Sequence, residues 1–315
     1  MEQKNLLKII MVGLIVIGVV AYFTFFNKKK ENILGPYAQN PTIYVSENNF
    51  AITYKEPSGS YININTKVYG PYANTVLASV ADKRFAFAYQ DQKAEWWINM
   101  TNSISGPYEG VANLSVSDTG LGFAFLKGGQ WYVNIKNKEY GPYNKVFSVS
   151  VSNSNFIFGY NKDGQNYLVI NGEESGPYEN IEKVLATELG VAYIYYDSGD
   201  KYVNFNEKVY GPYSKATPIA LFNNGFAFAY LEGQEAYANV NDLTFGPYQS
   251  INILPNSKII SFYFTKDGRG YISTSSKVYG PYKREYITGA MSRKKIAFTY
   301  QEEGKWFVAV EPDLY

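Results

Sequence analysis

The chain predicts an all-β fold, an eight-bladed β-propeller of four-stranded antiparallel blades preceded by one transmembrane helix. Three observations lead there. The tripeptide Gly-Pro-Tyr recurs eight times at intervals close to 35 residues, each interval holds four short runs of strand-forming residues, and the two ends of the repetitive region are complementary parts of one repeat.

The tripeptides are Gly35-Pro36-Tyr37, Gly70-Pro71-Tyr72, Gly106-Pro107-Tyr108, Gly141-Pro142-Tyr143, Gly176-Pro177-Tyr178, Gly211-Pro212-Tyr213, Gly246-Pro247-Tyr248 and Gly280-Pro281-Tyr282. From the second copy onward an aromatic stands nine residues before the glycine: Tyr61, Trp97, Tyr132, Tyr167, Tyr202, Tyr237 and Tyr271. A register kept this closely marks one supersecondary unit repeated. Within the repeat 74–108 the runs 76–80, 85–89, 95–100 and 103–108 carry strand formers, with turn residues between them. Such a unit is slightly shorter than the ~40 residues of an ordinary propeller blade, so the loops must be minimal.

The second run alternates large and small apolar residues. Phe85, Phe87 and Tyr89 point one way and Ala86 and Ala88 the other; the pattern returns over Phe226-Ala227-Phe228-Ala229-Tyr230 and, more loosely, from Phe50, Phe123, Phe156, Val191, Ile260 and Ile296. A strand apolar on both faces belongs to a sheet covered on both faces, as in blades stacked large face on small face. Proline donates no ladder hydrogen bond and suits an edge strand, while the glycine beside it permits a bulge. The tripeptide therefore reads as the exit from the outer strand, its tyrosine packed under the crossover to the next blade.

The last repeat has three runs, 286–290, 296–300 and 306–310, and nine residues beyond Phe307 lies past Tyr315. The repetitive region opens on the piece that is lacking, Asn32–Tyr37 (NILGPY). This amino-terminal strand is expected to close the last blade, 284–315; an open superhelical stack is the alternative architecture.

Ser117-Asp118-Thr119-Gly120 followed by Gly122-Phe123-Ala124-Phe125, and Ser152-Asn153-Ser154-Asn155 followed by Phe156, resemble the turn and second strand of the WD-repeat-like propellers common in bacteria, including periplasmic ones. The resemblance spans 31–315 without a Trp-Asp dipeptide. It implies a propeller that binds proteins or other macromolecules, and it transfers no functional residue.

Ahead of the repeats, residues 9–26 (IIMVGLIVIGVVAYFTFF) carry no charge. As a helix they rise about 27 Å, close to the ~30 Å thickness of a bilayer's hydrocarbon core. Tyr22, Phe23, Phe25 and Phe26 crowd the place where a signal peptide has small residues, which favours an uncleaved anchor over a secretory signal; a buried core helix is the bland alternative. The expected organisation is a short cytoplasmic tail (1–8), a transmembrane anchor (9–26), a basic linker (27–30) and the propeller (31–315). Lys4 and Lys8 on one side nearly balance Lys28, Lys29 and Lys30 on the other. A short tail before a single span places the propeller outside the cytoplasm, at the cell membrane.

With 29 Lys and Arg against 28 Asp and Glu, the chain lacks the positive field that phosphate backbones attract, so nucleic acid is not an expected partner. There is no Cys and no His, which removes disulfides, thiolate nucleophiles, the usual zinc ligands and imidazole acid/base chemistry. Asp163-Gly164 and Asp267-Gly268 lack the spacing of a calcium loop and read as hairpin turns. No catalytic residue, metal ligand or cofactor is expected. Asn63, Asn99, Asn134, Asn204 and Asn239, two residues after the register aromatic, read as structural amides rather than a binding ring. Most tyrosines recur with the repeat and are explained by packing. Tyr195, Tyr263 and Tyr286 read as standing outside the recurring positions; with Trp96, which precedes the register Trp97, they are the candidate surface contacts.

The function expected is a protein-binding or scaffolding module held near the membrane, with a membrane-proximal protein as partner. The alternatives are a carbohydrate or cell-wall polysaccharide binding module and, less favoured, a glycosidase working with carboxylates alone.

Overall fold

A computed structural model describes residues 32–74, 76–216, 220–222, 225–254, 261–274, 278–282, 289–291, 295–302 and 305–312. The expected transmembrane run and basic linker, and Tyr286, lie outside the described residues. Among the described residues no helix is long and apolar enough to cross a membrane.

The described strands form eight antiparallel four-stranded sheets, which we number in chain order: sheet 1 (42–72), sheet 2 (77–108), sheet 3 (110–143), sheet 4 (145–178), sheet 5 (180–213), sheet 6 (220–248), sheet 7 (250–282) and sheet 8 (289–312). In sheets 1 to 7 consecutive strands are hydrogen-bonded neighbours. Sheet 8 takes its fourth strand from the start of the chain: Asn32–Tyr37 pairs with Lys305–Pro312, Asn32 opposite Val310 and Leu34 opposite Val308.

The burial pattern follows from the alternation. Second strands are buried almost throughout, as over Gly225–Glu232, because both of their faces meet another sheet. Fourth strands repeat a mostly exposed pattern, as over Lys138–Tyr143. First strands approach one another across successive sheets, Gly110–Val116 against Lys145–Val151 and Thr42–Val45 against Gly289–Met291, so they gather while the fourth strands face solvent. Seven apolar clusters fill the interfaces from sheet 8 to sheet 1 and onward to sheet 7. In most of them a large residue meets a small one: Phe123 and Phe125 of sheet 3 lie on Ala86 and Ala88 of sheet 2. A Phe buried as completely as Phe87, Phe158 or Phe228 contributes roughly 1.5–3 kcal/mol relative to exposure.

Gly-Pro-Tyr makes up the last three residues of the fourth strand, and seven of the Gly-Pro bonds are cis, from Gly35-Pro36 to Gly246-Pro247. In sheet 3 Val133 pairs with Tyr140 and Trp131 with Tyr143, so two residues, Gly141 and Pro142, oppose Tyr132 alone. This is a β-bulge, and it gives the nine-residue spacing its cause. The ring of Tyr132 lies across Gly141, whose added β-carbon would stand 3.0 Å from Tyr132 Cδ1 and 3.0 Å from the Trp131 carbonyl oxygen. The glycine also holds φ at 125°, a region that side chains disfavour.

The tyrosine of the tripeptide packs on the second strand of the next sheet rather than under the crossover. Ring centroids are 4.2 Å apart for Tyr72 and Tyr89, 5.2 Å for Tyr108 and Phe125, and 4.1 Å for Tyr143 and Tyr160. The second-strand ring stacks in turn on its own sheet's register aromatic, as Phe125 does on Tyr132 at 5.7 Å and Tyr160 on Tyr167 at 5.6 Å. The tyrosine richness thus resolves into an aromatic ladder running from sheet to sheet.

Candidate functional site: a cavity on the crossover face

At one end of the sheets lie the crossovers between sheets and the hairpins joining second to third strands. Here, in sheets 3, 4, 5 and 7, the residue after Gly-Pro-Tyr reaches the hairpin of the sheet it leads into, whereas sheets 1 and 2 have Ala38 and Ala73 at that place. Glu109 accepts hydrogen bonds from the amides of Gly128 (2.9 Å) and Gly129 (3.3 Å), Glu179 accepts from Gly199 (3.3 Å), Asn144 Oδ1 from Asp163 (3.3 Å), and Gln249 Oε1 from Gly268 (3.2 Å). In sheet 6 this place is held by Ser214, whose side chain is shorter than any of these.

The residue ahead of the register aromatic decides how the gap beneath each crossover is filled. Trp96 of sheet 2 and Trp131 of sheet 3 are half-buried and pack on the clusters facing the following sheet. Asn166 of sheet 4 donates from Nδ2 to the Glu179 carbonyl at 3.1 Å. Lys201 of sheet 5 donates from Nζ to the Ala216 carbonyl at 3.2 Å, pairs with Glu182 at 2.6 Å and lies over the Tyr196 ring at 5.3 Å. At Gly270 of sheet 7 the space belongs to Tyr263, whose hydroxyl oxygen would stand 2.5 Å from an added β-carbon. Sheet 6 has Ala236, and there a cavity of about 570 Å³ opens.

Its floor is apolar: Ala216, Ala229, Leu231, Ala236 and Ile251. Tyr196 and Tyr230 form walls, and Lys201, Ser214, Lys215, Gln249 and Ser250 supply polar groups. The Ser250 hydroxyl is bonded to the Thr265 hydroxyl at 2.6 Å, which orients that side. Burial acts to lower the pKa of Lys201, but its hydrogen bonds to Glu182 and Tyr196 and the charges of the two outweigh burial, so Lys201 titrates above the ordinary lysine value. Lys215 is exposed and, among the described residues, in no ion pair. The arrangement can hold a flat apolar group and an anion beside it. Among the described residues no group of three or more Asp or Glu could hold a metal ion.

The candidate contacts are not brought together. Trp96 belongs to sheet 2, Tyr195 to sheet 5 and Tyr263 to sheet 7. Tyr195 turns out to recur: with Tyr54, Tyr89, Phe125, Tyr160, Tyr230 and Phe264 it is the second-strand rung of the ladder, 5.2 Å from Tyr178 and 5.4 Å from Tyr202. Three of the five asparagines act as turn caps, Asn134, Asn204 and Asn239 accepting from the amides of Asn137, Glu207 and Asp242 at 3.0–3.1 Å, whereas Asn63 Oδ1 is buried without a hydrogen-bond partner. The residues that shape the cavity, Ala236 and Ser214, have no chemistry that draws notice in a sequence, and small residues stand at the same points elsewhere, as Ala38 and Ser60 in sheet 1 and Gly270 in sheet 7.

No protein-family model matches the chain, and no curated protein does. Solved structures do. One described as the eukaryotic initiation factor aligns over 90% of this chain and 92% of its own at 12% identity, with a TM-score of 0.51. The fold, eight four-stranded antiparallel sheets, is thus similar to that of this structure. The β-propeller domain of the Trilobed protease from Pyrococcus furiosus aligns over 88% of this chain and 97% of its own at 10% identity and TM-score 0.48. The CRINKLY WD40 ectodomain of the receptor kinase ACR4 from Arabidopsis thaliana aligns over 87% and 98% at 11% identity and TM-score 0.45. At such identities the likeness concerns the fold alone.

Proposed function

We propose that the chain is a membrane-anchored, eight-bladed β-propeller that binds a protein partner close to the membrane and serves as a scaffold. The observation that carries this reading is the cavity at sheet 6, bounded by Ser214 and Ala236 where sheet 3 places Glu109 and Trp131. The uncharged run 9–26 supports the anchor, and residues 27–34 between it and the first Gly-Pro-Tyr reach at most ~28 Å, which keeps the propeller beside the bilayer. Sugar binding is less favoured, because ladder tyrosines such as Tyr72, Tyr143 and Tyr195 spend a ring face on a neighbouring ring.

The test is site-specific photocross-linking of the full-length protein in cells, with benzoylphenylalanine at Lys215 on the cavity rim or at Asn137 on the opposite end. A discrete protein adduct from position 215 that is absent from 137 is expected. No protein adduct from 215, or adducts with wall polymer alone, overturns the reading.

A further inference from the structure

Sheet 3 shows, within the same chain, what fills the place that stands open in sheet 6. Glu109, Gly110, Leu126 and Trp131 occupy in sheet 3 the positions that Ser214, Lys215, Leu231 and Ala236 occupy 105 residues later. The Trp131 indole reaches across to Gly110, where an added β-carbon would lie 3.8 Å from Cη2, and the Glu109 carboxylate sits on the amides of Gly128 and Gly129. Sheet 6 keeps the leucine and has lost both the indole and the carboxylate. The floor left behind is apolar and closely built, with Ala229 1% and Ala236 3% exposed. Its rim has Ser214 in place of the acid and Lys215 in place of glycine, while the hairpin beyond carries Glu232 and Glu235 where sheet 3 has Lys127 and Gln130. A cavity that lacks the indole present in sheet 3, and has at its edge the exposed Lys215, in no ion pair among the described residues, is complementary to an indole with an acid close to that lysine.

Resting on the protein-binding reading above, we infer that this cavity receives a tryptophan of the partner protein with an aspartate or glutamate beside it. The indole lies on Ala229, Ala236 and Ile251 between the crossovers, and the carboxylate stands near Ser214 and Lys215. The partner thereby supplies from outside the pair of groups that Trp131 and Glu109 supply in sheet 3. A buried indole brings 150–250 Å² of contact area and two stiff torsions, which is why tryptophan anchors dominate interfaces of this kind.

The inference is tested with full-length protein in detergent and the peptide acetyl-Asp-Trp-Gly-amide, followed by saturation-transfer NMR. Saturable binding in the high-micromolar to low-millimolar range is expected, at least about tenfold weaker for the peptide with Ala in place of Trp. Ala236→Trp refills the cavity with the residue sheet 3 uses; it should keep or raise the thermal midpoint and abolish peptide binding. Ser214→Glu restores the residue type found at 109 and 179, so it should fold, and should weaken the peptide by about three- to tenfold through repulsion of its Asp. Peptide binding unchanged in both variants, or none up to about 10 mM with the unaltered protein, overturns the inference. Either result leaves the protein-binding reading standing, since that falls only with the cross-linking experiment at position 215.

Discussion

The ring of Tyr61 lies across Gly70: a β-carbon on that glycine would stand 2.9 Å from Tyr61 Cδ1 and 2.7 Å from the Ser60 carbonyl oxygen. The same pair recurs as Trp97 with Gly106, Tyr167 with Gly176, Tyr202 with Gly211 and Tyr237 with Gly246. A spacing of nine residues along the chain is thus a single cross-strand contact, and the glycine is required both for its φ of 118° and for the absence of a side chain.

Gly70→Ala therefore meets two costs, backbone strain and overpacking, and should lower stability by about 3 kcal/mol. Chemical denaturation reads it. Tyr61→Phe leaves the ring in place and removes a hydroxyl bonded to the exposed Ser58 at 2.8 Å, so it should cost less than about 1 kcal/mol. Equal losses from the two would mean that the contact is not what constrains the glycine.

Leu34 of the amino-terminal strand stands opposite Val308, which is fully buried, and packs on the cluster shared with Ile43 and Ile52. Leu34→Asp puts an unpaired charge at the joint between the two ends of the chain and should cost about 2–4 kcal/mol. A thermal midpoint equal to that of the unaltered protein would show that the strand does not hold sheet 8.

The ladder makes the fold sensitive to alkali. Burial first, and then the charge of neighbouring phenols or carboxylates, pushes Tyr37, Tyr72, Tyr143 and Tyr213 each up to about 12. An unfolded tyrosine loses its proton near 10. Between these values the unfolded chain binds fewer protons than the folded one, so stability is full below pH ~10 and declines as pH rises toward 12. Denaturation midpoints at pH 9, 10.5 and 11.5 should fall in that order, and Tyr143→Phe should flatten the slope.

Sidedness of the membrane is open to a direct experiment, because the chain has no cysteine. Lys162→Cys places a thiol at an exposed strand end, just before Asp163, whose φ of 52° makes that turn position itself a poorer choice. A membrane-impermeant maleimide should label it in intact cells. Labelling only after lysis would place the propeller in the cytoplasm.

Much of the architecture is local and therefore legible in the chain. Side chains alternate along a strand whatever the surroundings, so Phe85 to Tyr89 announces a strand buried on both faces, and a 35-residue repeat announces stacked sheets. Tyr195 was harder to place, because its rung of the ladder is shared between Tyr and Phe and the kinship shows only when the strands are paired. The cavity lies further still from the sequence. Ala236 and Gly270 are both small residues at the same point of the repeat, yet a cavity opens at the first, while Tyr263 reaches across from the neighbouring strand to cover the second. Strands, their period and the small residues of each repeat are local properties that the chain displays; whether a small residue leaves a void is a property of the packed sheets, since it depends on what every neighbouring strand can reach.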